Sequence, residues 1–299
     1  MFKKIIIILL IFLCIGCDKD NSNNDKLSVV TTIYPYYDFT RNIIGNDDNI
    51  TLLLSPGSEL HSYEPTPKDI VKINNADIFI YTGGESDEWV EGVLSSIDNK
   101  DIKIIKLIDY VDVYNEELNE EVFDEVDEHI WTSPINAIKI IEVINKEISL
   151  VDKDNKEIYD NNSSKYINSL KDIDKGIREV VNNSERKTLV FGDRFPLIYF
   201  TKEYGLDYYA AFKGCSSHSE PSSKTISYLI DKIKKDNIPV VLHLELSSEN
   251  ISNTLSASTD TKVMEFSSIH NISKDDFDNG LTYVDIMKRN IEVLKEALN

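Results

Sequence analysis

Five histidines punctuate this chain of 299 residues, and three of them, His61, His129 and His270, sit in similar surroundings. Each lies in a short polar break after an apolar run. His61 and His129 also come shortly before Thr66-Pro67 and Ser133-Pro134. A hydroxyl residue followed by proline marks a helix start, with the hydroxyl capping and the ring pre-set for the first turn. Both histidines therefore fall on loops leading into helices, where α/β proteins place binding groups. Asp193 ends a further apolar run and is also loop-placed. Three neutral imidazoles and one carboxylate form the donor set of a closed tetrahedral zinc site. These residues lie far apart in the chain, so spacing alone does not bring them together. A solvated loop histidine is the plain alternative for His61.

The other two histidines read differently. His243 interrupts Val240-Val241-Leu242 inside an apolar run and is expected to be a hydrogen-bonded core residue. His218 lies in the Ser-rich loop Gly214 to Pro221 beside Glu220, a surface setting by default. Glu245 ends the run that carries His243 and is placed to support a ligand without touching the metal. Trp89 and Trp131 are read as packing residues.

The elements that must position these residues alternate. Leu27–Ile33, Ile50–Leu54, Ala76–Tyr81 and Ile102–Leu107 read as strands, separated by helices at Tyr36–Ile44, Thr66–Asn74 and Glu88–Ile97. The second half repeats the rhythm with strands at 188–191, 208–212, 238–244 and 262–266. Strands alternating with helices predict a parallel sheet of βαβ units, hence an α/β fold. Between the halves, Tyr166, Leu170, Ile173, Ile177 and Val180 recur at helical steps. A helix over about 154–182 would reach roughly 40 Å, long enough to join two lobes. Nine carboxylates and no basic residue fall between Asp112 and Glu128, a density that predicts a solvated, mobile loop gathering cations beside His129.

The start of the chain is of another kind. Phe2-Lys3-Lys4 precedes an apolar stretch, Ile5 to Ile15, too short to span a bilayer; Gly16-Cys17 and a polar tether follow. This resembles a lipoprotein signal, with Cys17 as the lipidated residue. Lys plus Arg is 32 against 52 Asp plus Glu, a net charge of −20 that argues against a nucleic-acid partner and suits a cationic one. Of the three cysteines, Cys14 leaves with such a signal and Cys17 carries lipid. Cys215 is then alone, which excludes an intrachain disulfide and a thiolate zinc site.

With these residues placed, the chain resembles the metal-binding lipoproteins of bacterial ABC importers for zinc and manganese. Pro56-Gly57-Ser58-Glu59-Leu60-His61-Ser62-Tyr63-Glu64-Pro65-Thr66-Pro67 looks like the family's first metal-histidine motif, and Asp127-Glu128-His129-Ile130-Trp131 like the second, with Glu128 where proline is usual. Phe195 to Leu206 and Lys262 to His270 resemble the segments carrying the third and fourth ligands. The resemblance implies two α/β lobes joined rigidly by one long helix, with the metal in the cleft between them. The corresponding boundaries are a signal at 1–17, a tether at 18–26, an N-terminal lobe at 27–152, the linking helix at 153–184 and a C-terminal lobe at 185–299. The implied ligands are His61, His129, Asp193 and His270, with Glu220 as substitute for Asp193 because the third segment departs locally from the family pattern. The implied function is non-catalytic: an extracytoplasmic, lipid-anchored and monomeric protein captures zinc, or alternatively manganese, and passes it to an ABC permease. An extracellular metallohydrolase and a cell-adhesion protein with a structural metal are the other classes the residues allow.

Overall fold

The structure is a computed structural model that describes residues 26–60, 62–119, 121–214 and 221–299. Its first half carries β1 (Val29–Thr31), α1 (Tyr34–Ile44), β2 (Ile50–Leu52), α2 (Pro67–Asn74), β3 (Ile78–Tyr81), α3 (Trp89–Ser96), β4 (Lys103–Lys106), β5 (Asn115–Leu118), β6 (Glu121–Val126) and α4 (Pro134–Val151). The second half follows α5 (Lys156–Asn183) with β7 (Thr188–Phe191), α6 (Ile198–Tyr204), β8 (Asp207–Ala210), α7 (Ser223–Asp236), β9 (Val240–His243), α8 (Asn250–Thr259), β10 (Lys262–Glu265), α9 (Lys274–Asp278) and α10 (Tyr283–Ala297). Two four-stranded parallel sheets result, one ordered β2-β1-β3-β4 and the other β10-β9-β7-β8. The fold is thus α/β with two lobes, as the alternation requires.

Local chemistry sets the element ends. Thr66 caps α2 by accepting from the Asp69 amide while Asp69 returns a bond to the Thr66 amide, a reciprocal box behind Pro67. Ser133 caps α4 by accepting from the Asn136 amide, ahead of Pro134. Gly45 ends α1 in the left-handed region, φ 88°, and returns its amide to Arg41.

Each sheet packs one face against its own helices. Val30, Phe79 and Val90 sit in one such cluster, and Val190, Val241 and Leu255 in the other. The opposite faces share a single core that runs from Val29 and Phe39 through Trp131, Ile141 and Leu170 to Phe191, Phe266 and Leu294. Helix α5, 28 residues long, lies along that shared core and packs on α1, α4 and α10. Its buried stripe is Tyr159, Ser163, Tyr166, Leu170, Ile173, Ile177 and Val181. The stripe ends on Val181 rather than Val180, because a step of four keeps the residue on the buried face.

The acidic stretch departs from its expected form. It is an antiparallel β5–β6 hairpin, with Asn115 opposite Val126 and Leu118 opposite Glu121. Glu116, Asp127 and Glu128 are buried. Lys202 and Lys213, distant in sequence, supply the countercharge at Glu117 and Glu116 (2.6 and 3.4 Å), which no local charge count reveals. No helix among the described residues is long and apolar enough to cross a membrane. Cys17 and the rest of the expected signal lie outside the described residues.

Candidate metal site

His129 follows the hairpin and opens a tight turn over Ile130–Thr132. It is fully buried. One oxygen of Asp127 accepts both its backbone amide (2.8 Å) and its ring Nδ1 (3.0 Å). Burial pulls the ring pKa down, but the charge and hydrogen bond of Asp127, with Glu128 and Glu116 behind them, outweigh it, so His129 titrates above the ordinary imidazole range. Glu128 has a structural task of its own. Its carboxylate accepts from the amide (2.9 Å) and hydroxyl of Ser86. It approaches Gly84 so closely that a Cβ there would lie 2.3 Å from the Cβ of Glu128. Glycine at 84 and glutamate at 128 are therefore a matched pair.

His270 follows β10 and is held in a similar manner. Its Nδ1 lies 2.8 Å from the Ser268 hydroxyl and 3.2 Å from Glu245 Oε1. Glu245 also accepts from the Ser268 amide (2.8 Å), the Ser268 hydroxyl (2.8 Å) and the His270 amide (3.2 Å). Burial alone would raise this carboxyl; the His270 ring and the Ser268 donors hold it below its ordinary range instead. His243 is a core residue whose Nδ1 lies 2.9 Å from the Leu244 carbonyl.

Hydrogen bonds gather the candidate segments. Trp131 Nε1 donates to the Ser268 carbonyl (2.9 Å), tying the His129 segment to that of His270. The Asn271 side chain donates to the carbonyls of Ser55 and Ser58 (2.9 and 2.8 Å), and the Gly57 amide donates to Ile272 (2.8 Å). The Pro56-Gly57 turn that leads to His61 is thereby stapled to the His270 loop. Arg194 pairs with Glu59 across the same region (3.0 Å). The Pro56-Gly57 turn, the Asp193 loop and the His270 loop leave the carboxyl ends of parallel strands, the edge at which open α/β sheets bind ligands, and Trp131 ties the His129 turn to them.

His61 and Glu220 lie outside the described residues. Asp193 is half-buried, and its carboxylate accepts from the backbone amides of Arg194 (2.8 Å) and Leu244 (3.1 Å), so both oxygens are engaged in shaping the loop after β7. Among the described residues, no three His, Cys, Asp or Glu side chains form a group able to hold a metal ion. Gly214, the last described residue before Cys215, packs against the site: a Cβ there would be 3.4 Å from the His129 ring and from Asp127 Oδ2. Ser268 and Asn271, and the supporting role of Asp127 within its motif, carry no distinctive residue pattern. Their signal was proximity, each lying within two residues of a candidate histidine.

Comparison with known proteins gives the family. Residues 29–297 match the family model described as zinc-uptake complex component A, periplasmic. The high-affinity zinc uptake system protein ZnuA of Bacillus subtilis is 34% identical over 292 residues, covering 93% of this chain and 89% of that protein. The zinc-binding lipoprotein AdcA of Streptococcus pneumoniae is 32% identical over 98% of this chain, which spans 61% of AdcA. Among solved structures, the Zn(II)-bound ZnuA-like domain of that AdcA superposes with a TM-score of 0.77 at 32% identity, covering 91% of this chain and 99% of the domain. The metal-dependent lipoprotein YcdH of Bacillus subtilis gives 0.80 at 34%, covering 92% of this chain and all of YcdH. The family model and the relatives cover nearly all of the described length, and the chain belongs to the ZnuA family of zinc-uptake solute-binding proteins.

Proposed function

We propose that this protein captures a zinc ion outside the cytoplasm and delivers it to an ABC permease, acting as a carrier without catalysis. The observation that carries this reading is the shared treatment of His129 and His270. Each ring has Nδ1 against a buried carboxylate, Asp127 or Glu245. That pairing orients the ring, fixes its tautomer and directs Nε2 to the metal, as in carboxylate–histidine–zinc sites. The names of the relatives, a zinc uptake protein and a zinc-binding lipoprotein, support the same cargo.

The ligand set is His61, His129 and His270 with one carboxylate. Asp193 is the candidate from the third segment, but two backbone amides already occupy it. Glu220 takes the role better. Gly214, which precedes its segment in the sequence, lies against His129. A set rich in nitrogen favours zinc over manganese, which prefers more oxygen. Lipidation at Cys17 anchors the protein, as a monomer, to the membrane that houses the permease.

Native mass spectrometry of the metal-stripped protein, offered equimolar zinc and manganese, tests the reading. One zinc per chain is expected, with affinity reduced by about 100-fold or more in His61→Ala, at or beyond the upper end of the cost of losing an outer-shell partner. Preferential manganese would overturn the cargo. No stoichiometric metal, or unchanged affinity in His61→Ala, would overturn the site.

A further inference from the structure

The β5–β6 hairpin belongs by sequence to the first lobe, yet its polar bonds run to the second. Glu117 pairs with Lys202 of α6 (2.6 Å), and Glu116 and Glu125 flank Lys213 (3.4 and 3.7 Å). The Asn119 side chain accepts from the Ala210 amide and donates to the Ala210 carbonyl, both at 3.0 Å, so an asparagine completes the hydrogen bonding of the edge strand β8. Toward its own lobe the hairpin stands off, leaving a groove of about 940 Å³ bordered by Gly83, Gly84, Ile108 and Val113. The two ends of the hairpin meet where the Asp127 amide donates to the Tyr114 carbonyl (2.9 Å). One hydroxyl of the second lobe holds both ends. Tyr199, buried in α6, donates to the Asp127 carbonyl (2.6 Å) and accepts from the Tyr114 amide (3.3 Å).

Asp127 in turn orients His129. A chain of contacts therefore leads from α6 of one lobe, through Tyr199 and Asp127, to a proposed ligand presented by the other. We infer that the hairpin is an interlobe strap that holds His129 in its binding position, with Tyr199 as its positioning residue, and that release of the metal is limited by loosening of this strap. The inference rests on the zinc-carrier reading given above. While the strap is fastened, His129 cannot shift without breaking buried bonds to backbone groups, which are costly to leave unmade. Once the lobes move relative to one another, Tyr199 leaves Asp127, and His129 loses its fixed orientation.

The test is the rate at which zinc leaves the full chain for an excess of chelator, followed by stopped flow, with the visible absorption of the cobalt(II)-loaded protein as a report on ligand geometry. Tyr199→Phe and Asn119→Gly are the variants; glycine suits the positive φ of 49° at Asn119. Tyr204→Phe is the control. It lies on the same helix and loses a hydroxyl bond of comparable length, to Asp174 on α5 (3.1 Å), away from the strap. Release about tenfold faster in Tyr199→Phe and Asn119→Gly, an altered cobalt spectrum in Tyr199→Phe, and parental behaviour in Tyr204→Phe are expected. Rates within twofold of the parent in both strap variants, or equal acceleration in Tyr204→Phe, would overturn the strap while leaving the carrier reading intact. If Tyr199→Phe fails to fold, Asn119→Gly decides by the same rate criterion. A parent that holds no zinc would overturn the site and the strap with it.

Discussion

The chemistry of single residues here is mostly that of carboxylates placed beside something else. Glu245 makes no proposed bond to metal, yet it collects the Ser268 and His270 amides and faces the His270 ring. Glu245→Gln keeps the shape and removes the charge. Zinc affinity is expected to fall 10–100-fold by titration against a competing chelator, the usual effect of losing such support. Asp87 poses a different question. It accepts from the Thr82 and Gly83 amides (2.8 and 3.0 Å). Burial, with the nearby charge of Glu128, pushes it up to about 7 despite those bonds. A carboxyl raised on folding binds more protons in the folded than in the unfolded state between pH 4 and 7, so its contribution to stability falls across that window and is level above it. Chemical denaturation of the parent and of Asp87→Asn at pH 5 and pH 8 is expected to show that difference. The parent should lose on the order of 1–3 kcal/mol more than the variant between the two values.

Between elements, the critical joint is Asp38 on α1. It is fully buried and accepts from Arg41 on the same helix (2.7 Å), from the Tyr166 hydroxyl on α5 and from the Tyr283 amide at the start of α10 (3.0 Å). One carboxylate thus binds the first lobe, the linking helix and the last helix. Asp38→Ala removes the carboxylate that Arg41, Asn42, Tyr166 and the Tyr283 amide share and is expected to cost about 3–5 kcal/mol, measured by urea denaturation of the apo protein. Metal stoichiometry should be retained where the chain still folds, because Asp38 lies outside the proposed ligand set. This joint was hidden in the sequence: Asp38, Tyr166 and Tyr283 are separated by over a hundred residues each, and periodicity speaks only to neighbours. Strands such as Thr188–Phe191 and the long helix were legible because their apolar patterns are local and strong. The β5–β6 hairpin was not, because Val122, Phe123 and Val126 make no period-2 pattern among carboxylates whose countercharge comes from the other lobe. Among the site residues, His129 and His270 stood out by type and loop position. Asp193 stood out in the same way, and its bonds to the Arg194 and Leu244 amides are contacts that residue type does not reveal.

At the scale of the molecule, the two lobes repeat one topology. Taking each lobe's strands in chain order, both sheets run second, first, third, fourth: β2-β1-β3-β4 and β8-β7-β9-β10. The sequence shows little of this, but one trace survives at the second connection. Glu64-Pro65-Thr66 precedes α2 with Thr66 as its cap, and Glu220-Pro221-Ser222 precedes α7 with Ser222 as its cap. His61 and Glu220 thus fall in corresponding connections of the two halves, and His129 and His270 come after the fourth sheet strands, His129 beyond the inserted β5–β6 hairpin, which gives the proposed ligand set an approximate twofold logic. Repeated lobes would ordinarily be expected to unfold separately. Here the inner faces of both sheets and α5 bury one continuous core, so neither lobe retains a complete apolar interior when the other melts. Calorimetry of the apo protein is expected to give a single transition with equal calorimetric and van't Hoff enthalpies. Zinc at a hundred times its dissociation constant should raise the stability of the whole by about 2.7 kcal/mol rather than split the peak, since the proposed ligands come from both halves. Two resolved transitions, with only one moved by zinc, would show that the lobes are independent and that the site belongs to one of them.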